Sequence, residues 1–196
     1  MEELRSLGLR TGWTYEVVIC SSLEGSPHAA PAGVWTDDGQ TLSLDLFETS
    51  RTLGAVLAAG AFVADFPRGA EELFTVMFAP SDLRFSAATG VAAPCLTDSS
   101  ATVALELSDV RPCGARTRLT GRVVSVKLRD DHVHLINRAE SMLLESLIIA
   151  SRIDVLGREA ARARLVENRR VAAKVAPDSA FAESIDLLVH SLSEPS

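Results

Sequence analysis

Cysteine is scarce in this sequence, and the three present, Cys20, Cys95 and Cys113, are odd in number and far apart. That pattern excludes a disulfide framework, and no pair stands at metal-ligand spacing, so no metal site is expected. Reduced thiols of this kind point to the cytoplasm. Positive charge is also short: the formal net charge is −7 and the basic residues are dispersed, which sets nucleic acid aside as a partner. Long apolar runs are missing too. The longest near-apolar stretch, residues 55–64, is too short to span a bilayer, and Glu2, Glu3 and Arg5 do not make the basic start of a signal peptide. No membrane partner is expected. There is no internal repeat, no low-complexity tract and no nucleophile-elbow sequence.

What is present suits a globular chain, since 47% of its 196 residues are hydrophobic, enough to build a core. Trp13, Tyr15, Val17 and Ile19 alternate with Thr14, Glu16, Val18 and Cys20, the period of a half-buried strand. A hairpin signal at Asp37, Asp38 and Gly39 leads into a second clean alternation, Leu42, Leu44 and Leu46. Residues 61–66 read as a strand stopped by Pro67, residues 71–79 as a helix, and 80–100 as a long loop. Two further strands, from Thr102 and over 117–128, form a hairpin, and a change of phase near Val123 indicates a bulge there or a strand with two buried faces. The count is about six antiparallel strands with one early helix, an α+β, mainly β architecture better suited to a small barrel than to a doubly wound sheet. From Asn137, whose spacing to Glu140 is that of a capping box, the pattern becomes helical. Met142, Leu143, Leu144, Leu147, Ile148 and Ile149 cover an arc wide enough to predict a buried helix, at a contact between subunits if not within one chain. Helices follow over 157–173 and from Pro177 through Leu192, with 193–196 expected to fray. The organisation expected is one compact unit, with a barrel over 1–135 and a helical extension over 136–196 that packs on the barrel and forms the dimer interface.

Two stretches carry chemistry. Thr49, Ser50, Arg51 and Thr52 open a helix with Leu53, Val56 and Leu57 on one face and Gly60 at its left-handed end. The first N–H groups of such a helix lack intrahelical partners, and hydroxyls with a guanidinium beside them suit a phosphate; a plain Ser/Thr cap with a nearby Arg is the bland alternative. The strand over 28–35 holds Pro31 and Gly33 among small residues. Such a strand is an edge, a bulge, or a place where something flat approaches the backbone. His132 and His134 alternate beside Asp130 and Asp131 and read as a polar strand end, and Cys20 reads as a buried, inert thiol with no base beside it.

The order of these pieces, residues 15–19, 25–33, 48–53 and 60–63, resembles the FMN-binding split β-barrel superfamily of flavin reductases and pyridoxamine-phosphate oxidases. Residues 137–140, 144–148, Ser151 and Arg152 resemble one uncharacterised branch of it, a domain-of-unknown-function group associated with archaea and with tetrahydromethanopterin-dependent one-carbon metabolism. The resemblance implies a split β-barrel and a homodimer with FMN held near the subunit interface. It implies phosphate contacts at Thr49, Ser50, Arg51 and Thr52, and the flavin ring along His28, Ala29, Ala30, Pro31 and Gly33. His28 stands where relatives often carry Asn. The implied activity is that of an oxidoreductase on an unknown small molecule, with a pterin or one-carbon substrate suggested by the association; the competing class is a non-catalytic flavin-binding or interaction protein, and no catalytic residue is identified.

Overall fold

The period-two stretches fold as strands. The computed structural model describes residues 3–192; residues 193–196, expected to fray, lie outside them. After a short helix α1 (Glu3–Ser6) come β1 (Tyr15–Leu23), β2 (Ser26–Trp35), β3 (Thr41–Phe47), α2 (Arg51–Ala59), β4 (Ala61–Phe66), α3 (Ala70–Phe78), β5 (Phe85–Ala87), β6 (Pro94–Leu96), β7 (Ala101–Cys113) and β8 (Arg116–Leu128). Six of the strands close into an antiparallel barrel in the order β1-β2-β3-β8-β7-β4, the architecture expected. Val17, Ile19, Leu42, Leu44, Phe62, Leu105 and Leu119 are fully buried. Every residue of β4 is buried, as the near-continuous apolar run of a strand covered on both faces requires. The bulge falls at Val124: Ala104 pairs with Ser125 and Leu105 with Val123, so one residue of β8 has no opposite number.

Gly121 of β8 is where the core is tightest. A Cβ there would come within 2.6 Å of Phe62 Cζ and 2.8 Å of Leu105 Cβ, so the missing side chain is the space the Phe62 ring occupies. Gly121→Ala is expected to cost about 1–3 kcal/mol of overpacking. The gain of roughly 0.5–1 kcal/mol from replacing a strand glycine is smaller. A denaturation midpoint at or above wild type would show that the ring has room to move.

The stretch over 80–100 is more ordered than a loop. It holds the β5–β6 hairpin, and Val76, Ala93, Cys95 and Leu96 form a buried cluster with Val18, Cys20, Val63 and Ala104 of the barrel strands. Leu57, expected on the buried face of α2, is exposed; Ala55 is buried with Leu53 and Val56 instead.

The described residues form two compact units, one through Thr11 and over Tyr15–Ile136, the other of Gly12–Thr14 with the chain from Asn137 on. The second is helical: α4 (Arg138–Ala150), α5 (Ile153–Leu156), α6 (Arg158–Val175) and α7 (Ala180–Ser191). Asn137 caps α4 as expected, accepting from Ala139 N at 2.8 Å, while its amide donates to Thr14 O and Val175 O. The last helix is capped by Ser179 rather than started by Pro177. Only Ala139, Ser146 and Ile149 of α4 are buried, and Leu144 and Leu147 are 59% and 51% exposed. Burial of the whole helix is therefore not reached within one chain, because its neighbours α6 and α7 cover one side only.

Candidate functional site

β2 is paired with β1 along its whole length, from Tyr15↔Val34 to Leu23↔Ser26, but with β3 only at Val34↔Leu44 and Trp35↔Ser43. Its other edge over 26–33 therefore has no strand partner among the described residues. Pro31, which has no N–H to give, is tolerated there because the edge is open, and the run of small residues leaves the backbone accessible. β3 meanwhile continues along β8 to the pair Phe47↔Arg116, turns through Ser50 N donating to Phe47 O, and enters α2.

Neighbouring residues of β2 face opposite sides. Ala29 stands opposite Cys20 and packs on the cluster that includes Val76 and Leu96, with Pro31 opposite Val18 on the same side. His28 and Ala30 stand opposite Ser21 and Ile19 on the other side. From there His28 Nε2 meets Thr52 Oγ1 at 2.9 Å. The expected ring strand and the expected phosphate helix are thus joined by one side-chain hydrogen bond, while Ala29 and Pro31 face away from it. Burial, and after it the Arg51 guanidinium, lowers the pKa of the His28 imidazole from its ordinary value.

At the start of α2, Ser50 has the extended backbone of an N-cap, φ −73° and ψ 128°, yet its side chain makes no capping hydrogen bond. Gly60 closes the helix in the left-handed conformation, φ 65°, its N–H donating to Val56 O. Thr49 and Arg51 are exposed, Ser50 half-buried and Thr52 buried. Among the described residues no side-chain hydrogen bond or ion pair engages Thr49, Ser50 or Arg51, so two hydroxyls and a guanidinium stand uncommitted beside unpaired helix N–H groups. Such a set has the chemistry that suits an anion of phosphate size.

Beside Pro27 a cleft of about 440 Å³ opens between the β1–β2 turn, at Ser22 and Gly25, and the β5–β6 hairpin, at Phe85, Ser86 and Pro94; no charged side chain lines it. The remaining sequence candidates lie elsewhere. His132 and His134 are exposed and outside any strand, and no group of three His, Cys, Asp or Glu side chains converges to hold a metal among the described residues. Cys20 is buried as expected, but a base does stand beside it. Burial, and after it the Asp65 carboxylate, pushes the thiol pKa well up, so the thiol is held protonated and unreactive. Among the described residues, no helix is long and apolar enough to cross a membrane.

Sequence reading also missed an external stripe on β3 and β8. Arg118 pairs with Asp45 at 2.8 Å and lies over the Trp35 ring, and Arg116 lies over Phe47. The alternation of Asp45 and Phe47 with buried leucines was its only signal.

Residues 15–130 match the family described as the N-terminal domain of a protein of unknown function, DUF447. No curated protein matches the chain. Among solved structures, the FMN-bound DUF447 protein of Methanosarcina mazei is 20% identical with a TM-score of 0.57, covering 96% of this chain and 99% of that one. An FMN-binding protein from Thermus thermophilus with bound 1-cyclohex-2-enone is 21% identical, TM-score 0.52, over 60% of this chain and 71% of its own. Nitrilotriacetate monooxygenase component B from Mycobacterium thermoresistibile is 18% identical, TM-score 0.54, over 68% and 80%. At these identities the likeness is one of fold.

Proposed function

The chain belongs to the DUF447 family, and from that premise we propose that it is a homodimeric, cytoplasmic FMN-binding flavoprotein acting as an oxidoreductase on a small molecule. The observation that carries the reading is the joining of an uncommitted anion-binding helix start to the open edge of β2 through His28 and Thr52. The FMN-bound and FMN-binding neighbours of the same fold support it. Thr49, Ser50 and Arg51, with the first N–H groups of α2, would hold the phosphate; Thr52 joins them through its bond to His28. The unpaired backbone groups beside His28, Ala29, Ala30, Pro31 and Gly33 would meet the polar edge of the ring system. Bound there, FMN supplies hydride or single-electron transfer, and the protein supplies binding and orientation. The uncharged cleft beside Pro27 favours a neutral substrate, and a pterin or other one-carbon carrier is the class to try first. The exposed Leu144 and Leu147 of α4 are the face assigned to the partner subunit.

One observation favours a non-catalytic flavin carrier instead: His28 is the one titratable side chain of β2, and its Nε2 is engaged by Thr52. Purified protein mixed with FMN and freed of excess by gel filtration is expected to stay yellow, with one FMN per chain. Colourless protein would end both readings. Anaerobic bleaching of the bound flavin by NADH, NADPH or a reduced pterin supports the enzyme; stable yellow with all three supports the carrier.

A further inference from the structure

His28 and Thr52 are both polar, and each can hold the other's hydrogen bond in only one of two directions. In the neutral ring the tautomer protonated on Nδ1 takes the threonine proton at its bare Nε2, which leaves the Thr52 hydroxyl with none to give elsewhere, while the Nε2–H tautomer donates; protonation removes the first arrangement and keeps the second. A protonated imidazole donates from Nε2 to Thr52 Oγ1, and the threonine proton becomes free to turn. The 2.9 Å separation suits either direction. Because Thr52 lies in the first turn of α2, the direction of this bond decides whether one more donor is offered at the helix start.

We propose that His28 is a positioning residue that takes up a proton when a phosphate monoester binds at the start of α2, and that the protonated ring frees the Thr52 hydroxyl to donate toward the phosphate. The identification of that monoester as FMN rests on the reading above. The charges around the ring support the coupling. Arg51 is the charged group that acts on it from α2; Ser21 opposite it on β1, and Thr52, are uncharged, and β2 carries no other titratable side chain. Without ligand, burial and Arg51 both disfavour the imidazolium. A phosphate dianion beside Arg51 opposes that field and adds its own attraction, so the ring's pKa is higher in the complex than in the free protein. The sign follows: protons are taken up on binding, the added affinity is fully present below the free-state pKa, and it is lost as pH rises through the pKa of the complex. Phosphate's second ionisation lies near pH 6, so at about pH 7.5 the ligand is already a dianion and the proton goes to the protein.

Calorimetric titration of FMN into the flavin-free protein at about pH 7.5, in two buffers of different ionisation enthalpy, reads the uptake directly. We expect roughly 0.3–1 proton per FMN for the wild type. None is expected for His28→Asn, which still binds FMN, and none for the wild type with riboflavin, which lacks the phosphate. An imidazole NMR titration of the wild type should show the His28 pKa rising by about one unit or more on FMN binding. FMN binding without uptake, uptake undiminished in His28→Asn, or equal uptake with riboflavin would each overturn the proposal while leaving the flavin reading intact. Failure of the wild type to bind FMN at all removes the flavin reading and this inference with it. Should His28→Asn not fold, the NMR titration decides alone, and a ring whose pKa does not rise sinks the idea.

Discussion

Asp65→Ala lowers the stability of the barrel unit by about 3–5 kcal/mol. Asp65 is fully buried on β4 and accepts from Leu96 N at 2.8 Å, Thr102 Oγ1 at 2.6 Å and Ser99 Oγ at 3.1 Å. Arg129 completes the group, donating to the Ser99 and Thr102 hydroxyls and, at 3.0 Å, to Leu96 O. One carboxylate therefore pins β4, β6, the start of β7 and the segment after β8 together. Removing it leaves three buried donors without their acceptor. Asp65→Asn, which keeps the shape and an acceptor oxygen, should cost less. The pH dependence has a definite sign. Burial is the largest influence on Asp65 and raises its pKa, against the lowering by Thr102, Leu96, Ser99 and Cys20. The folded state thus holds this proton more tightly than the unfolded chain, where an aspartate titrates near ~3.9. The stability it contributes is fully present below that value and is lost as pH rises through the folded pKa. Denaturation of wild type and Asp65→Asn across that window should show the wild type alone losing stability from this group. An Asp65→Ala protein within about 1 kcal/mol of wild type would mean that the network holds nothing.

This network also marks the limit of what was legible in the sequence. The alternations through Val17 and Ile19, and through Leu42 and Leu44, show which strands face a core because their period is local. The bulge at Val124 was legible for the same reason, as a change of phase. The β5–β6 hairpin was not, since strands of three residues are too short to show a period and their anchor is polar. Asp65 reads in sequence as one polar residue in an apolar strand; that three distant donors converge on it is a property of the closed barrel. The α4 leucines were legible as apolar but not as exposed, because periodicity does not say what covers a face. In the candidate site, the helix start at Thr49, Ser50 and Arg51 was legible from residue types, though Ser50 supplies only the backbone of a cap and no side-chain bond. The open edge of β2 and the His28–Thr52 bond were not, since both depend on where β3 leaves its neighbour.

Arg51→Ala is expected to weaken FMN binding by about 10- to 150-fold, the equivalent of a charge-assisted hydrogen bond worth roughly 1.5–3 kcal/mol. Arg51 is exposed and has no ion-pair partner among the described residues, so the fold does not depend on it and the loss falls on the ligand. Three comparisons separate a phosphate contact from a general disturbance. Riboflavin, which lacks the phosphate, should bind wild type and variant alike. Arg51→Lys should fall between the two, since an ammonium keeps the charge but not the planar fork. Raising the salt should narrow the gap between wild type and Arg51→Ala, because an exposed contact is screened. The variant also bears on His28: with the guanidinium gone, one of the two causes that lower its pKa is removed, so the free-state pKa should rise and less proton should be taken up when FMN binds. Unchanged FMN affinity in Arg51→Ala would take Arg51 out of the site, and an equal loss for riboflavin would show that it acts on the ring or the fold rather than on the phosphate.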